Sequence, residues 1–286
     1  MTLVLIYCFI VGVCLGSFLN VVLYRFDTGL GVKGRSMCMS CSKKLGVFEL
    51  VPIVSYVMLR GKCRGCRTSI SLQYPLVELA AGLIVLAASW SALELLPMHP
   101  ALFILWSVVA SLVGLVLLAI FVYDLRHMLI PDMFSYLFIA SSFVLTVVRT
   151  QLPASMVWAL SGDGEIVRHI VAAVLVAAPL LVIWLATRGR GLGLGDVILA
   201  IGMGMLLGMS QGFAALMLAF WIGAAFAICY VLYVHVQGKR GGSVESLRKK
   251  AIPFGPFLII ATVLVFVCSI SFMDVVNVFS FWQGVR

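Results

Sequence analysis

The chain has 286 residues, of which 63% are hydrophobic and 11% charged, with a mean hydropathy of +1.16 and a net charge of +9. A soluble domain of this length cannot hide that much apolar surface, which excludes an ordinary globular enzyme and makes the bilayer the solvent. The positive charge sits on loops beside apolar runs, so it reports topology, and no nucleic-acid partner is expected.

Residues 3–24 form the first apolar run, 22 residues without a charge, where about 20 suffice to span a hydrocarbon core. No basic residue precedes it, no small-x-small cleavage site ends it, and Arg25 follows directly. It therefore reads as a retained helix with a translocated N-terminus, not a signal peptide. Residues 25–74 are the one long segment outside the membrane, with nine basic residues against Asp27 and Glu49. The run at 75–96 is the least clean because Glu78 and Glu94 interrupt it, whereas 102–123 carries no charge. A shorter run at 133–148 is extended by Ile130 and Pro131, and 170–187 follows a polar connection at 150–168. Residues 197–238 are long enough for two spans, with a break expected near Ser210-Gln211-Gly212, and 252–273 closes the series. The expectation is an all-α polytopic membrane protein of about eight helices. Its divisions are a first helix at 1–24, a cytoplasmic loop domain at 25–74 and a seven-helix membrane domain at 75–286. No internal repeat or low-complexity tract is visible. Gly12 and Gly16, and Gly204 and Gly208, have the spacing that lets helices approach closely.

Orientation follows from the basic residues. With 25–74, 124–131, 188–196 and 237–251 inside, 17 of the 20 lysines and arginines are cytoplasmic, as the positive-inside rule requires. Both termini then face away from the cytoplasm.

Four of the eight cysteines fall in the long loop, as Cys38-x2-Cys41 and Cys63-x2-Cys66 with 21 residues between the pairs. This spacing suits a tetrathiolate zinc site, and in a reducing cytosol the thiols stay free for metal. Two redox-active pairs or unligated thiols are the alternatives. Four thiolates leave no open coordination position, so Zn2+ here is structural, stapling a loop too small for a core of its own. Cys8, Cys14, Cys229 and Cys268 lie in apolar runs and read as packing residues.

Two aspartates sit where apolar runs meet cytoplasmic loops, and an ionisable residue at such a place is a functional candidate by default. Asp124 ends the third run, and Asp196 closes Gly191-Leu-Gly-Leu-Gly-Asp196. If the two helix ends meet, the pair shares a proton, the starting state for aspartyl proteolysis. The helix macrodipole suggests Asp124, at a C-terminus, as the protonated partner and Asp196, at an N-terminus, as the charged one. Gly191, Gly193 and Gly195 allow a substrate backbone to come close and permit unusual dihedrals. Read singly, Asp196 is equally a helix cap and Asp124 a side chain reaching for water. Asp132, after Pro131, reads as a helix-start residue.

These motifs together resemble the type IV prepilin peptidases, bacterial intramembrane aspartyl proteases of the Gly-x-Gly-Asp class. The resemblance runs through Gly16-Ser-Phe-Leu-Asn-Val-Val-Leu-Tyr-Arg25, the cysteine quartet, Leu50-Val-Pro-Ile-Val-Ser-Tyr56, Arg60-Gly-Lys-Cys63, Tyr74-Pro-Leu-Val-Glu78, Asp124 to Asp132, Gly193-Leu-Gly-Asp196 and Ile252-Pro-Phe-Gly-Pro256. It implies cleavage of the short basic leader of type IV prepilins or type II secretion pseudopilins at the cytoplasmic face of the inner membrane. Asp124 and Asp196 would be the catalytic pair, and Cys38, Cys41, Cys63 and Cys66 the metal ligands. It also implies methylation of the new amino terminus from S-adenosylmethionine, associated with the first helix and the cysteine loop. The family commonly has lysine two positions after the motif aspartate, where this chain has Ile198. Peptidase activity should survive that change, with an altered rate or pH optimum. The competing readings are a catalytically impaired pilin-binding scaffold and a metal or cation transporter with a zinc-binding loop. The second would call for ionisable groups at mid-membrane depth, and the centres of these runs are almost wholly apolar.

Overall fold

A computed structural model describes residues 1–26, 34, 36–151, 164–239 and 253–275. Much of the polar connection expected at 150–168 and the basic stretch at 237–251 lies outside the described residues. The elements are α1 (Thr2–Arg25), α2 (Val54–Met58), α3 (Gln73–Ser91), α4 (Pro100–His127), α5 (Asp132–Arg149), α6 (Glu165–Thr187), α7 (Leu194–Lys239) and α8 (Gly255–Cys268). Short 3-10 turns occur at Val47–Glu49 and Leu93–Leu95. The chain is thus all-α. Among the described residues six helices are long and apolar enough to cross a membrane, the last of them Leu194–Val236, and α8 is a shorter apolar helix.

Helices dominate because a backbone in hydrocarbon must satisfy its own hydrogen bonds. Once formed, they associate through small residues, since lipid is as apolar as leucine. The chain divides into two compact units, Met1–Ala119 and Ile120–Arg286.

In the first unit α1 packs along α3. The glycine pair on α1 meets a glycine on α3: a Cβ on Gly12 would lie 2.8 Å from the Ala81 carbonyl oxygen, and one on Gly82 would lie 2.6 Å from Val13 Cγ2. Dividing the sequence at 74/75 separates loop from membrane helix, whereas packing joins α3 to α1.

In the second unit α7 packs against α5, α6 and α8. It is broken at Gly208, whose φ of 74° and ψ of −172° are accessible to glycine alone. A Cβ on Gly204 would lie 2.7 Å from Ala173 Cα, Gly208 faces the His169 ring, and one on Gly212 would lie 2.7 Å from Val176 Cγ2. The contacts therefore run down α6 and back up it, so the chain reverses at Gly208. The break precedes the expected Ser210-Gln211-Gly212 because the reversal needs a positive φ, which Gly208 supplies first.

Breaking a helix orphans carbonyls, and here the loss is covered. The Met205 carbonyl oxygen, cut off from the helix by the reversal, accepts from the Thr146 hydroxyl at 3.2 Å and lies 2.7 Å from His169 Nδ1. A carbonyl only accepts, so Nδ1 carries the proton. Beside them Arg149 Nε lies 3.7 Å from the buried Glu165 carboxylate, and the N–H of Phe272 donates to the Ser210 hydroxyl at 3.2 Å. This polar cluster marks one end of the helices of this unit. The first residues of α7 and α8 lie at the other.

Candidate functional site

Asp124 is three residues from the end of α4, and its side chain is buried, at 3% exposure. Met128, with φ of 52°, turns the chain out of the helix while its N–H donates to the Asp124 carbonyl at 2.8 Å. The Tyr123 and His127 rings stack with centroids 4.4 Å apart, and Tyr123 meets Phe134 edge-on. The turn is thereby tied to α5, which starts at Asp132; that residue is exposed and carries the first-turn charge expected of it.

Asp196 is the third residue of α7 and equally buried, at 8% exposure. The Gly193 N–H donates to its carboxylate, the half of a capping box in which the side chain reaches back to the residue before the helix. Gly191, Gly193 and Gly195 do not take the unusual dihedrals that the sequence suggests. Positive φ falls instead at Arg188 and Gly189, where α6 ends in left-handed caps. Gly191 and Gly195 instead serve close approach: a Cβ on Gly191 would lie 3.1 Å from Thr187 Cγ2, and one on Gly195 would lie 3.0 Å from Ile130 Cβ.

Ile130 draws the two aspartates to one place. Its side chain lies against Gly195, next to Asp196, and against Gly255, the first residue of α8. A Cβ on Gly255 would run into Asp124 Oδ2 and would sit 3.0 Å from Ile130 Cδ1. The two carboxylates are close enough for one charge to act on the other. The site is therefore built from three helix ends: the C-terminus of α4 and the N-termini of α7 and α8. The dipole argument from α4 alone is incomplete, because α8 presents an end of opposite polarity to the same carboxyl group. In the sequence Gly255 sits in a motif without a role and Ile130 carries no signal of its own; nothing local says which helix end a glycine will face.

The four cysteines also converge. Their sulfur atoms all lie within 4.8 Å of one another, and Cys38 Sγ is 3.8 Å from Cys66 Sγ. Each pair sits in the same knuckle. The Cys38 N–H donates to the Lys43 carbonyl and the Ser42 N–H to the Cys38 carbonyl; the Cys63 N–H donates to Thr68 and the Arg67 N–H to Cys63. Ser42 and Arg67 occupy matching left-handed positions, with φ of 56° and 60°, and an isolated β-bridge flanks each turn. This is a short structural repeat that the side chains conceal.

The donor set fits a thiophilic cation. The N–H groups of Cys41 and Ser40 pull the Cys38 thiol down, and the Thr68 hydroxyl and N–H lower Cys66 to about 6. The Lys43 N–H draws Cys41 down, but the neighbouring thiols and burial outweigh it and raise it to about 11. Four sulfurs this close ionise together only around a cation. The first knuckle is braced by Glu49, which accepts from the Gly46 N–H at 2.8 Å and from Lys43 Nζ at 3.1 Å.

A further polar group lies between α1 and α3. Glu78 is 7% exposed and accepts the Ile53 N–H at 2.7 Å and a hydrogen bond from the Ser17 side chain. Ile53 holds φ of 60°, an outlier for a β-branched residue. Asn20 Nδ2 donates to the Tyr74 carbonyl at 3.2 Å. The signal for Glu78 was visible as a carboxylate inside an apolar run, yet it read there as a blemish.

Comparison with known proteins agrees with this layout. Residues 10–92 match the model of the bacterial peptidase A24 N-terminal domain, and residues 111–228 that of the type IV leader peptidase family. A prepilin leader peptidase/N-methyltransferase of Vibrio cholerae is 30% identical over 90% of this chain and 94% of its own length. One from Aeromonas salmonicida is 28% identical over 88% of this chain and 87% of its own. A type 4 prepilin-like proteins leader peptide-processing enzyme of Escherichia coli is 29% identical over 86% and 87%. No solved structure matches the chain. With matches to both halves and relatives alike from end to end, the chain belongs to the type IV leader peptidase family.

Proposed function

We propose that this protein is an inner-membrane aspartic endopeptidase that removes the basic leader of type IV prepilins or type II secretion pseudopilins, and then methylates the amino terminus it has freed. The observation that carries the peptidase reading is the meeting of buried Asp124 and Asp196 at one end of the second unit, around Ile130, Gly195 and Gly255. The relatives' names supply the substrate class and the second activity. The excess of lysine and arginine in the loops at this end supports a cytoplasmic position for it, with both termini across the membrane.

In the peptidase step one aspartate takes a proton from water as the oxygen attacks the scissile carbonyl carbon. The other, protonated, hydrogen-bonds the developing oxyanion. Collapse of the tetrahedral adduct breaks the C–N bond, and the leaving nitrogen takes a proton from the dyad. The products are a leader carboxylate and a new amino terminus. A membrane-inserted substrate must unwind before water reaches its backbone, and a site at helix ends, with Gly191, Gly193 and Gly195 beside Asp196, is where an unwound strand fits.

Cys38, Cys41, Cys63 and Cys66 would hold Zn2+ as a closed structural site. S-adenosylmethionine, when bound, supplies the methyl group, and the first helix and the cysteine loop are the region we assign to that step.

The test uses purified protein in detergent and a precursor with a basic leader. Asp124→Asn and Asp196→Asn should each slow cleavage by about 100- to 10,000-fold, the weight of general acid–base catalysis, with helicity and zinc content unchanged. Near wild-type cleavage by either variant overturns the dyad.

A further inference from the structure

A buried Asn20, at 4% exposure, has its amide nitrogen committed to the Tyr74 carbonyl, which fixes the other atom, Oδ1, as an acceptor. That Oδ1 has no hydrogen-bond partner, and a buried acceptor left bare is costly. Its surroundings offer acceptors. Tyr74 lies one helical turn before Glu78 on α3, and Gly16 and Ser17 lie one turn before Asn20 on α1. A Cβ on Gly16 would lie 2.8 Å from Glu78 Cα, so the two turns face each other. The carboxylate has about four lone-pair directions; the Ile53 N–H and Ser17 take two of them. Ser17, Ile53 and Tyr74 are half-buried, so the cluster is not sealed inside the protein.

One bare acceptor and one carboxylate with open lone pairs, set between two apolar helices, complement a compact cation that brings several N–H donors. We propose that Ser17, Asn20 and Glu78 form an ammonium-binding site in the first unit, which receives a primary amine during methyl transfer. This rests on reading the first unit as the methyl-transferring part. Two ammonium groups have this chemistry there: the amino terminus freed by leader removal and the amino group of S-adenosylmethionine. A purely structural role, Glu78 pinning the strained Ile53 amide, explains one hydrogen bond and leaves Asn20 Oδ1 unaccounted for.

The full chain in detergent micelles would be titrated with a peptide matching a mature pilin amino terminus, with the same peptide N-acetylated, and separately with S-adenosylmethionine. Wild type should bind the free-amine peptide or S-adenosylmethionine in a way that depends on the site. Glu78→Gln, which keeps an acceptor for the Ile53 N–H, and Asn20→Leu should each weaken that binding about tenfold or more, the weight of a charge-assisted hydrogen bond. Preference for free over acetylated peptide names the peptide as the source; a loss confined to S-adenosylmethionine names the cofactor. If free and acetylated peptides bind alike and S-adenosylmethionine is unaffected in both variants, a water or nothing fills the site and the proposal falls. It falls equally if Glu78→Gln loses zinc and becomes protease-sensitive in the cysteine loop along with its binding, since that marks a staple. A wild type that transfers no methyl group yet discriminates free amine through Glu78 keeps the site and removes the methyl-transfer reading.

Discussion

The two units solve the problem of placing polar groups at a membrane in opposite ways. The cysteine quartet is carried by irregular backbone, two turns held by a few N–H donors and left-handed residues, with almost no apolar core around it. The aspartates are carried by the ends of long helices, and the packing of Ile130 against two glycines sets their positions. A loop-borne site needs an external staple, whereas a helix-borne site is rigid because its supports are packed. The first should fail by losing its ion and the second by gaining a methyl group.

Metal removal gives the widest contrast. Cys63→Ser, at the most buried of the four thiols, should take bound zinc from about one ion per chain to none, because three thiolates do not close a structural tetrahedron. Limited proteolysis between the knuckles, at Lys43 to Arg67, should then become rapid, while the helices of the second unit stay protected. A metal-free protein whose loop resists protease as wild type does would remove the contrast.

Adding one carbon to the other site comes next. Gly255→Ala drives a methyl group into Asp124 Oδ2 and against Ile130, and overpacking of this kind costs about 1–3 kcal/mol. Cleavage should fall roughly 10- to 100-fold, with zinc content untouched. Unchanged kinetics would mean that the α8 end does not set the carboxyl group's position. Gly208→Ala acts at the opposite end of the same helices. A non-glycine residue at φ of 74° and ψ of −172° costs of order 1–3 kcal/mol, so the thermal midpoint in detergent should drop while cleavage at low temperature stays near wild type.

The sequence made the helices, the quartet and both aspartates readable, because each rests on a local signal: an uncharged run, a fixed cysteine spacing, or a carboxylate at an apolar boundary. It did not show what faces what. Gly12 and Gly16 announce a close approach, but only packing shows that α3 is the partner. Gly255 and Ile130 became site residues through contacts between residues far apart in the chain. The reversal fell at Gly208 and not at the polar Ser210-Gln211-Gly212, since backbone dihedral and not polarity decides where a helix can fold back. The twin knuckles share hydrogen bonds and φ signs while sharing little beyond their cysteines.

The smallest expected effect concerns position 198, where the resemblance leads one to expect lysine and this chain has Ile198. From sequence the change looks serious, since position 198 is two residues from Asp196. On α7, however, residues two apart point about 200° away from each other around the helix axis and do not face one another. Asp196 already has the Gly193 N–H as a local donor, so its placement does not depend on a cation at 198. Ile198 is half-buried against the apolar body of the helix, where a long amine would reach outward along the surface. Ile198→Lys should therefore alter leader cleavage by less than about tenfold, within what a single partly exposed charge contributes. A larger gain, measured on the same precursor, would show that the second site depends on a long-range charge as well as on the packing of its helix ends.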